Sequence, residues 1–309
     1  MTALPPDVEA AHEAAASRGR DTYTDPRTGL TVFTAAAALR RGYCCGRGCR
    51  HCPFAHMNVP EHERRVNAPG APVLLPAGRP RDRGAAGAPT PGDELLRVLF
   101  WSGGKDSYLA LRRVTDAAFG GDAARAKDGV VLLTTFDART RRVPEQNVAL
   151  DDVVDQATKR LAMDLVLVPL PSAHVANDEY VALVRAGLEV ARASRRPAPA
   201  RLRLVFGDLH LADIRAWREA TFSAPPLVET DFPLFGAPYA ELADALFSSP
   251  QVERVTLTSV SGSARDAAPG GLREGDAFDR DTYARLSAPG SPVDAFGERG
   301  EFHTFVWLR

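Results

Sequence analysis

Four short apolar runs, spaced by segments of helix length, constrain this chain more than any other feature. Residues 97–101 (RVLFW), 130–135 (VVLLTT), 165–168 (LVLV) and 202–206 (LRLVF) are rich in branched and aromatic side chains. Runs this short and apolar read as buried strands. Between them, residues 147–161 space Val153, Val154, Ala157 and Leu161 at helical intervals, residues 179–193 form a further helix, and another starts near Asp106. Strands that alternate with helices call for right-handed crossovers and a parallel sheet with helices on both faces. The expected class is therefore α/β, with a ligand crevice at the carboxyl ends of the strands.

The rest of the chain divides by composition. Residues 1–66 combine an Ala-rich helical start, an extended stretch at 29–34 and all four cysteines, which fall between positions 44 and 52. They are expected to form a small Cys-rich module. Residues 67–93 are dominated by Ala, Pro, Gly and Arg without apolar periodicity and read as a flexible linker. A nucleotide-binding domain is expected over 94–222. Residues 223–309 are less regular and read as a small α+β domain, with strands at 255–260 and 302–307. The 45% hydrophobic and 25% charged content is that of an ordinary globular protein. No apolar run approaches the ~18 residues of a membrane helix, and MTALPPDVEA has no basic-then-apolar leader pattern. A cytoplasmic protein without membrane contact is the expectation. A net charge of -1 supplies no global field for nucleic acid, which disfavours that partner while leaving room for a local patch.

Ser102-Gly103-Gly104-Lys105-Asp106-Ser107 lies between the first expected strand and its helix, where an anion site belongs. The two glycines let the backbone approach a pyrophosphate, and the first helical amides point at it with the dipole behind them. Lys105 adds charge, Ser102 and Ser107 offer hydroxyls, and Asp106 is suited to hold Mg²⁺. The segment is not a G-x-x-x-x-G-K-[ST] loop. It resembles instead the SGGxDS signature of the PP-loop family of adenine nucleotide α-hydrolase-like enzymes. That resemblance implies a Rossmann-like domain that binds ATP and cleaves it between the α and β phosphates. In such enzymes adenine meets the backbone at the end of the second strand, here Thr134, Thr135 and Phe136.

Two more segments narrow the resemblance. Residues 205–219 (VFGDLHLADIRAWRE) and 292–304 (PVDAFGERGEFHT) are similar to signature stretches of diphthine–ammonia ligase-like proteins. Together with the loop the likeness covers about residues 95–309. It implies adenylation of a carboxyl group, with AMP and pyrophosphate as products, followed by amidation with ammonia. Gly207 and Asp208 would face the crevice, Asp208 holding the amine or a metal; its bland alternative is to cap the next helix. Glu298, Glu301 and His303 would hold ammonia and take its proton. One of Arg215 and Trp217 would face substrate, and Asn177 and Tyr180 match a helix start. The resemblance leaves the acid unnamed, and with the chain ending shortly after His303 no appended domain is expected to name it. Self-association into a homodimer stays open.

Cys44-Cys45-Gly46-Arg47-Gly48-Cys49-Arg50-His51-Cys52-Pro53-Phe54 resembles the CCGxxCRHCP[FY] motif of a small uncharacterised bacterial domain. Thiolates this close suit one metal, held by Cys44, Cys45, Cys49 and Cys52 or by three of them with His51 or His56. Zn²⁺ is favoured over an iron–sulfur cluster. The C-x3-C-x2-C spacing also occurs in radical enzymes, but a linker rather than a barrel follows. Two functions compete with the ligase: a PP-loop tRNA-modifying enzyme using the cysteines as RNA grip or sulfur relay, and a non-catalytic nucleotide-binding adaptor.

Overall fold

The computed structural model describes residues 5–47, 49–54, 58, 71–77, 95–195, 197–224 and 227–309. His56 and most of the expected linker lie outside the described residues. The fold is mixed α/β, and its longer sheet strands pair mostly in parallel. Two compact units emerge. One gathers Met1–Thr90, Val131–Pro144 and Ala149–Pro199, and the other gathers Pro91–Val130, Glu145–Val148 and Ala200–Arg309. The units interleave along the chain, whereas composition suggested domains in series.

In the first unit, Pro at N1 starts the helix Pro6–Ala16. A two-stranded antiparallel hairpin, Thr22–Thr24 with Thr31–Phe33, turns on Asp25, whose carboxylate accepts from Arg27 N–H, Thr28 Oγ1 and Arg50 Nη1. Thr34 Oγ1 then caps the helix Ala35–Arg41 by accepting from Ala37 N–H at 3.1 Å. The sheet of this unit centres on Leu165–Leu170, buried at every position. It pairs in parallel with Val130–Asp137 and antiparallel with Val73–Leu75. That last strand sits inside the stretch expected to be a linker. Its apolar triplet Val-Leu-Leu is short enough to be masked by the surrounding Pro and Gly, yet all three residues are buried.

Helix Asn177–Ala193 packs on this sheet through Gly187, where a Cβ would come 2.5 Å from Val168 Cγ2. Its N-cap is Ala176 and no side chain caps it, so Asn177 is the first helical residue rather than the cap. The helix expected from 147 begins at Leu150, because Val148–Ala149 is extended, and it closes with a π-helical stretch, Gln156–Arg160.

The second unit has three parallel strands in the order Val228–Asp231, Arg201–Val205, Leu95–Phe100. Helices Lys105–Phe119, Ala212–Phe222 and Tyr239–Phe247 accompany them. A separate antiparallel pair joins Val252–Val260 to Phe302–Leu308. Tyr108, fully buried on the first of these helices, shares a 2.6 Å hydrogen bond with Ser249 Oγ. The C-terminal third is therefore built into the same unit as the glycine-rich loop. Among the described residues no helix is long and apolar enough to cross a membrane.

Candidate functional site

The loop 102–107 leaves the strand Leu95–Phe100 and enters the helix Lys105–Phe119. Gly103 takes φ +78°, a conformation that favours glycine, and its carbonyl accepts from Val306 N–H at 2.9 Å. Gly104 is the helix N-cap and has no side chain of its own to cap the turn. A Cβ on Gly104 would lie 2.9 Å from the Thr304 carbonyl oxygen, 3.1 Å from Gln146 Oε1 and 3.3 Å from Ser102 Oγ. Lys105 N–H donates to Thr304 Oγ1 at 3.1 Å, and Ser107 Oγ donates to the Gly104 carbonyl at 3.0 Å. The terminal strand Phe302–Leu308 thus braces the loop from across the sequence.

Lys105 is buried. Its Nζ lies 2.9 Å from Asp106 Oδ2 and over the rings of Phe296 and Phe302, at 5.2 and 5.8 Å from their centroids. The other carboxylate oxygen, Asp106 Oδ1, is buried without a hydrogen-bond partner. A carboxylate oxygen left so is costly unless a cation or donor joins it.

Gly207 and Asp208 follow the strand Arg201–Val205 after Phe206, and Gly207 comes up against the start of that helix. A Cβ on Gly207 would meet Asp106 C at 2.9 Å, Asp106 O at 3.0 Å and Ser107 N at 3.2 Å. Asp208 does not cap the next helix, which starts at Ala212 with Leu211 as N-cap. Instead its carboxylate meets Arg218: Nε is 2.7 Å from Oδ2, and Nη2 donates to Oδ1 at 3.2 Å. Burial pushes the Asp208 carboxyl up, and Arg218 only partly opposes it. Neither Arg215 nor Trp217 makes this contact. Arg215 pairs with Glu219 and covers Phe232 and Phe235, while half-buried Trp217 meets Phe222 edge to face.

The segment 294–303 is a self-bonded turn that presents two side chains. Asp294 Oδ1 accepts from Phe296 N–H and Glu298 N–H, and Tyr239 OH donates to Asp294 Oδ2 at 3.1 Å. Glu301 accepts from Asp294 N–H and Arg299 N–H through its two oxygens. These two bonds tie Glu301 into the turn. Glu298 Oε1 accepts from Leu209 N–H at 3.1 Å. Burial first, then the charge of Asp106, pushes the Glu298 carboxyl up to about 7. His303 Nδ1 lies 3.2 Å from the Gln146 carboxamide, and burial together with Lys105 pushes its pKa down. Lys105 and Arg218 thus stand against three carboxylates, Asp106, Asp208 and Glu298, and Glu298 keeps its proton close to neutral pH. Gln146 and Arg218 carry no motif of their own in the sequence.

Thr134 and Phe136 are buried and Thr135 half-buried at the end of the strand Val130–Asp137, within the first unit. The Phe136 side chain is committed to the core, and the backbone of all three residues lies in the ladder with Leu167–Pro169. In the same unit the four cysteines form no disulfide and are drawn together as two pairs. Cys45 and Cys49 Sγ are 3.0 Å apart, and Cys44 and Cys52 Sγ, both buried, 3.8 Å. Among the described residues the donor atoms that converge within 4.8 Å are those of Glu9, His12 and His51. Both the cysteine cluster and this group offer donors that could hold a metal. His51 faces the histidine group, with Nε2 2.7 Å from Tyr23 OH and its ring stacked on His12 at 3.7 Å. His12 Nε2 accepts from Ala35 N–H, which places its own proton on Nδ1; ligation through Nδ1 requires that proton to leave.

Residues 11–58 match the model of a family of unknown function, DUF5522, which takes in the hairpin and all four cysteines. No solved structure matches the chain.

Proposed function

We propose that this chain is an ATP-dependent amide ligase of the diphthine–ammonia ligase type, with a Rossmann-like PP-loop domain at its centre. The observation that carries the reading is the buried, unpartnered Asp106 Oδ1 at the start of the loop-borne helix, with Glu298 electrostatically coupled to it. A hard oxygen donor beside a glycine-rich helix start fits a Mg-nucleotide.

In this reading the amides and hydroxyls of Ser102 to Ser107 and the Lys105 ammonium bind the phosphates. Asp106 would hold a Mg²⁺ ion, whose charge would screen the departing pyrophosphate. The substrate carboxylate attacks the α-phosphorus and pyrophosphate leaves; ammonia then attacks the acyl carbon and AMP departs with the carbon–oxygen electron pair. Asp208, oriented by Arg218, and Glu298 with its near-neutral pKa face the acyl and amine groups. At the N-terminal module, the thiol donors of Cys44, Cys45, Cys49 and Cys52 suit Zn²⁺.

The test is product analysis with ATP, Mg²⁺, ammonium and a panel of carboxylic acids. AMP and pyrophosphate are expected, falling at least a hundredfold in Lys105→Ala and Asp106→Asn. ADP as the sole nucleotide product would overturn the reading.

A further inference from the structure

Gln146 sits at the centre of a strained turn. Its neighbours Glu145 and Asn147 both hold left-handed conformations, φ 61° and 52°. Non-glycine residues so placed on both sides of Gln146 carry strain, which persists where the surrounding structure fixes a side chain's aim. The turn aims the Gln146 carboxamide at His303 Nδ1, 3.2 Å away, on the one side and at Gly104 on the other.

The two ends of the carboxamide are not equally served. With Nε2 toward the ring, Oε1 is buried with no donor. It then shares the space around Gly104 with the Thr304 carbonyl and Ser102 Oγ, both able to accept; all three oxygens lie 2.9–3.3 Å from the point a Cβ there would fill. An amide rotation exchanges oxygen and nitrogen at almost no steric cost. The NH₂ group then faces these acceptors, and Oε1 faces the imidazole. A carbonyl oxygen cannot donate, so His303 must carry its proton on Nδ1 and give it to Gln146.

We propose that Gln146 is a positioning residue that fixes His303 as the Nδ1–H tautomer and so leaves Nε2 as an unprotonated base. The proposal rests on the ligase reading for what the base does. As the amine nitrogen forms its bond to the acyl carbon its N–H becomes strongly acidic. That proton passes to Nε2, while the electron pair of the broken carbon–oxygen bond leaves with AMP. Lys105, Asp106 and Glu145 are the charged groups that act on the ring, and burial with Lys105 keeps it neutral and ready to accept. Gly104 serves the same arrangement, since any side chain there would displace the carboxamide.

The tautomer can be read without turnover, which separates this inference from the ligase reading. Long-range proton–nitrogen NMR on the ¹⁵N-histidine-labelled full chain, with His303 assigned by loss of its signals in His303→Gln, reports which ring nitrogen is protonated. Protonated Nδ1 and bare Nε2 are expected in the wild type. Gln146→Met should shift the ring toward the Nε2–H form, and Gln146→Glu, which keeps an acceptor, should retain Nδ1–H and raise the His303 pKa. Where amide formation is measurable, Gln146→Met should lower kcat about a hundredfold at unchanged KM for ATP, with Gln146→Glu recovering most of it at higher pH. A wild-type ring protonated on Nε2, or a tautomer indifferent to both substitutions, would overturn the proposal even if AMP and pyrophosphate are produced.

Discussion

Replacing Gly207 with Ala tests whether strand end and loop helix meet as closely as the structure has them. The new methyl carbon would sit 2.9 Å from Asp106 C, 3.0 Å from Asp106 O and 3.2 Å from Ser107 N, all backbone atoms of the first helical turn. Carbon contacts are comfortable at about 3.5–4.0 Å, so the turn or the strand end must yield by roughly 0.5 Å. Overpacking against a rigid element costs about 1–3 kcal/mol. Gly207 has no left-handed φ, so alanine also returns about 0.4–1 kcal/mol by restricting the unfolded chain. The net expectation is a loss of roughly 1–2 kcal/mol. Trp101, Trp217 and Trp307 all belong to the second unit, so tryptophan fluorescence in a urea titration reports that unit alone. Gly262→Ala is the control: it has open space around it, sits in the first turn of a short helix, and should be neutral or slightly stabilising. Equal urea midpoints for the two variants would refute the close approach. A normal rate of AMP formation in Gly207→Ala would show that the helix start tolerates displacement.

Glu298 makes stability depend on pH in an unusual direction. Its pKa is raised in the folded state to about 7, from an ordinary value of 4.5. The folded chain therefore binds more protons between those values, and stability falls as pH rises through that window. After allowance for partial solvent screening the loss is about 1–2 kcal/mol by pH 8, and Glu298→Gln should abolish it. Unfolding midpoints at pH 5 and 8 that shift equally in both proteins would refute the assignment. For the N-terminal module, elemental analysis of the purified chain should find bound zinc that falls away in Cys45→Ser and Cys52→Ser, with loss of the module's stability on chelation. Four freely titrating thiols in the metal-free native protein, with unchanged stability, would count against the site.

The strands were legible because each carries enough consecutive branched residues to be recognised without context, as at 130–135 and 165–168. Val73–Leu75 was not, since three apolar residues amid prolines gain their meaning from the Leu165–Leu170 strand beside them. The loop at 102–107 announced itself through glycines whose roles are local. Gln146 did not: two left-handed neighbours and a partner 157 residues away make it what it is, and neither leaves a mark on its own stretch of sequence. Glu301 stands within a conspicuous signature, yet the backbone donors at 294 and 299 that reach its two oxygens are set by the turn and leave no mark in the sequence.

The bond from Lys105 N–H to Thr304 Oγ1 spans 199 residues and has a consequence for synthesis. At about 5–20 residues per second, the glycine-rich loop leaves the ribosome some 10–40 s before the strand that braces it. Throughout that interval the nascent chain carries a loop whose Gly103 carbonyl and Lys105 amide lack their partners. The bracing of this loop thus waits for the strand Phe302–Leu308, and a chain lacking that strand should leave the Gly103 carbonyl and the Lys105 amide unbraced.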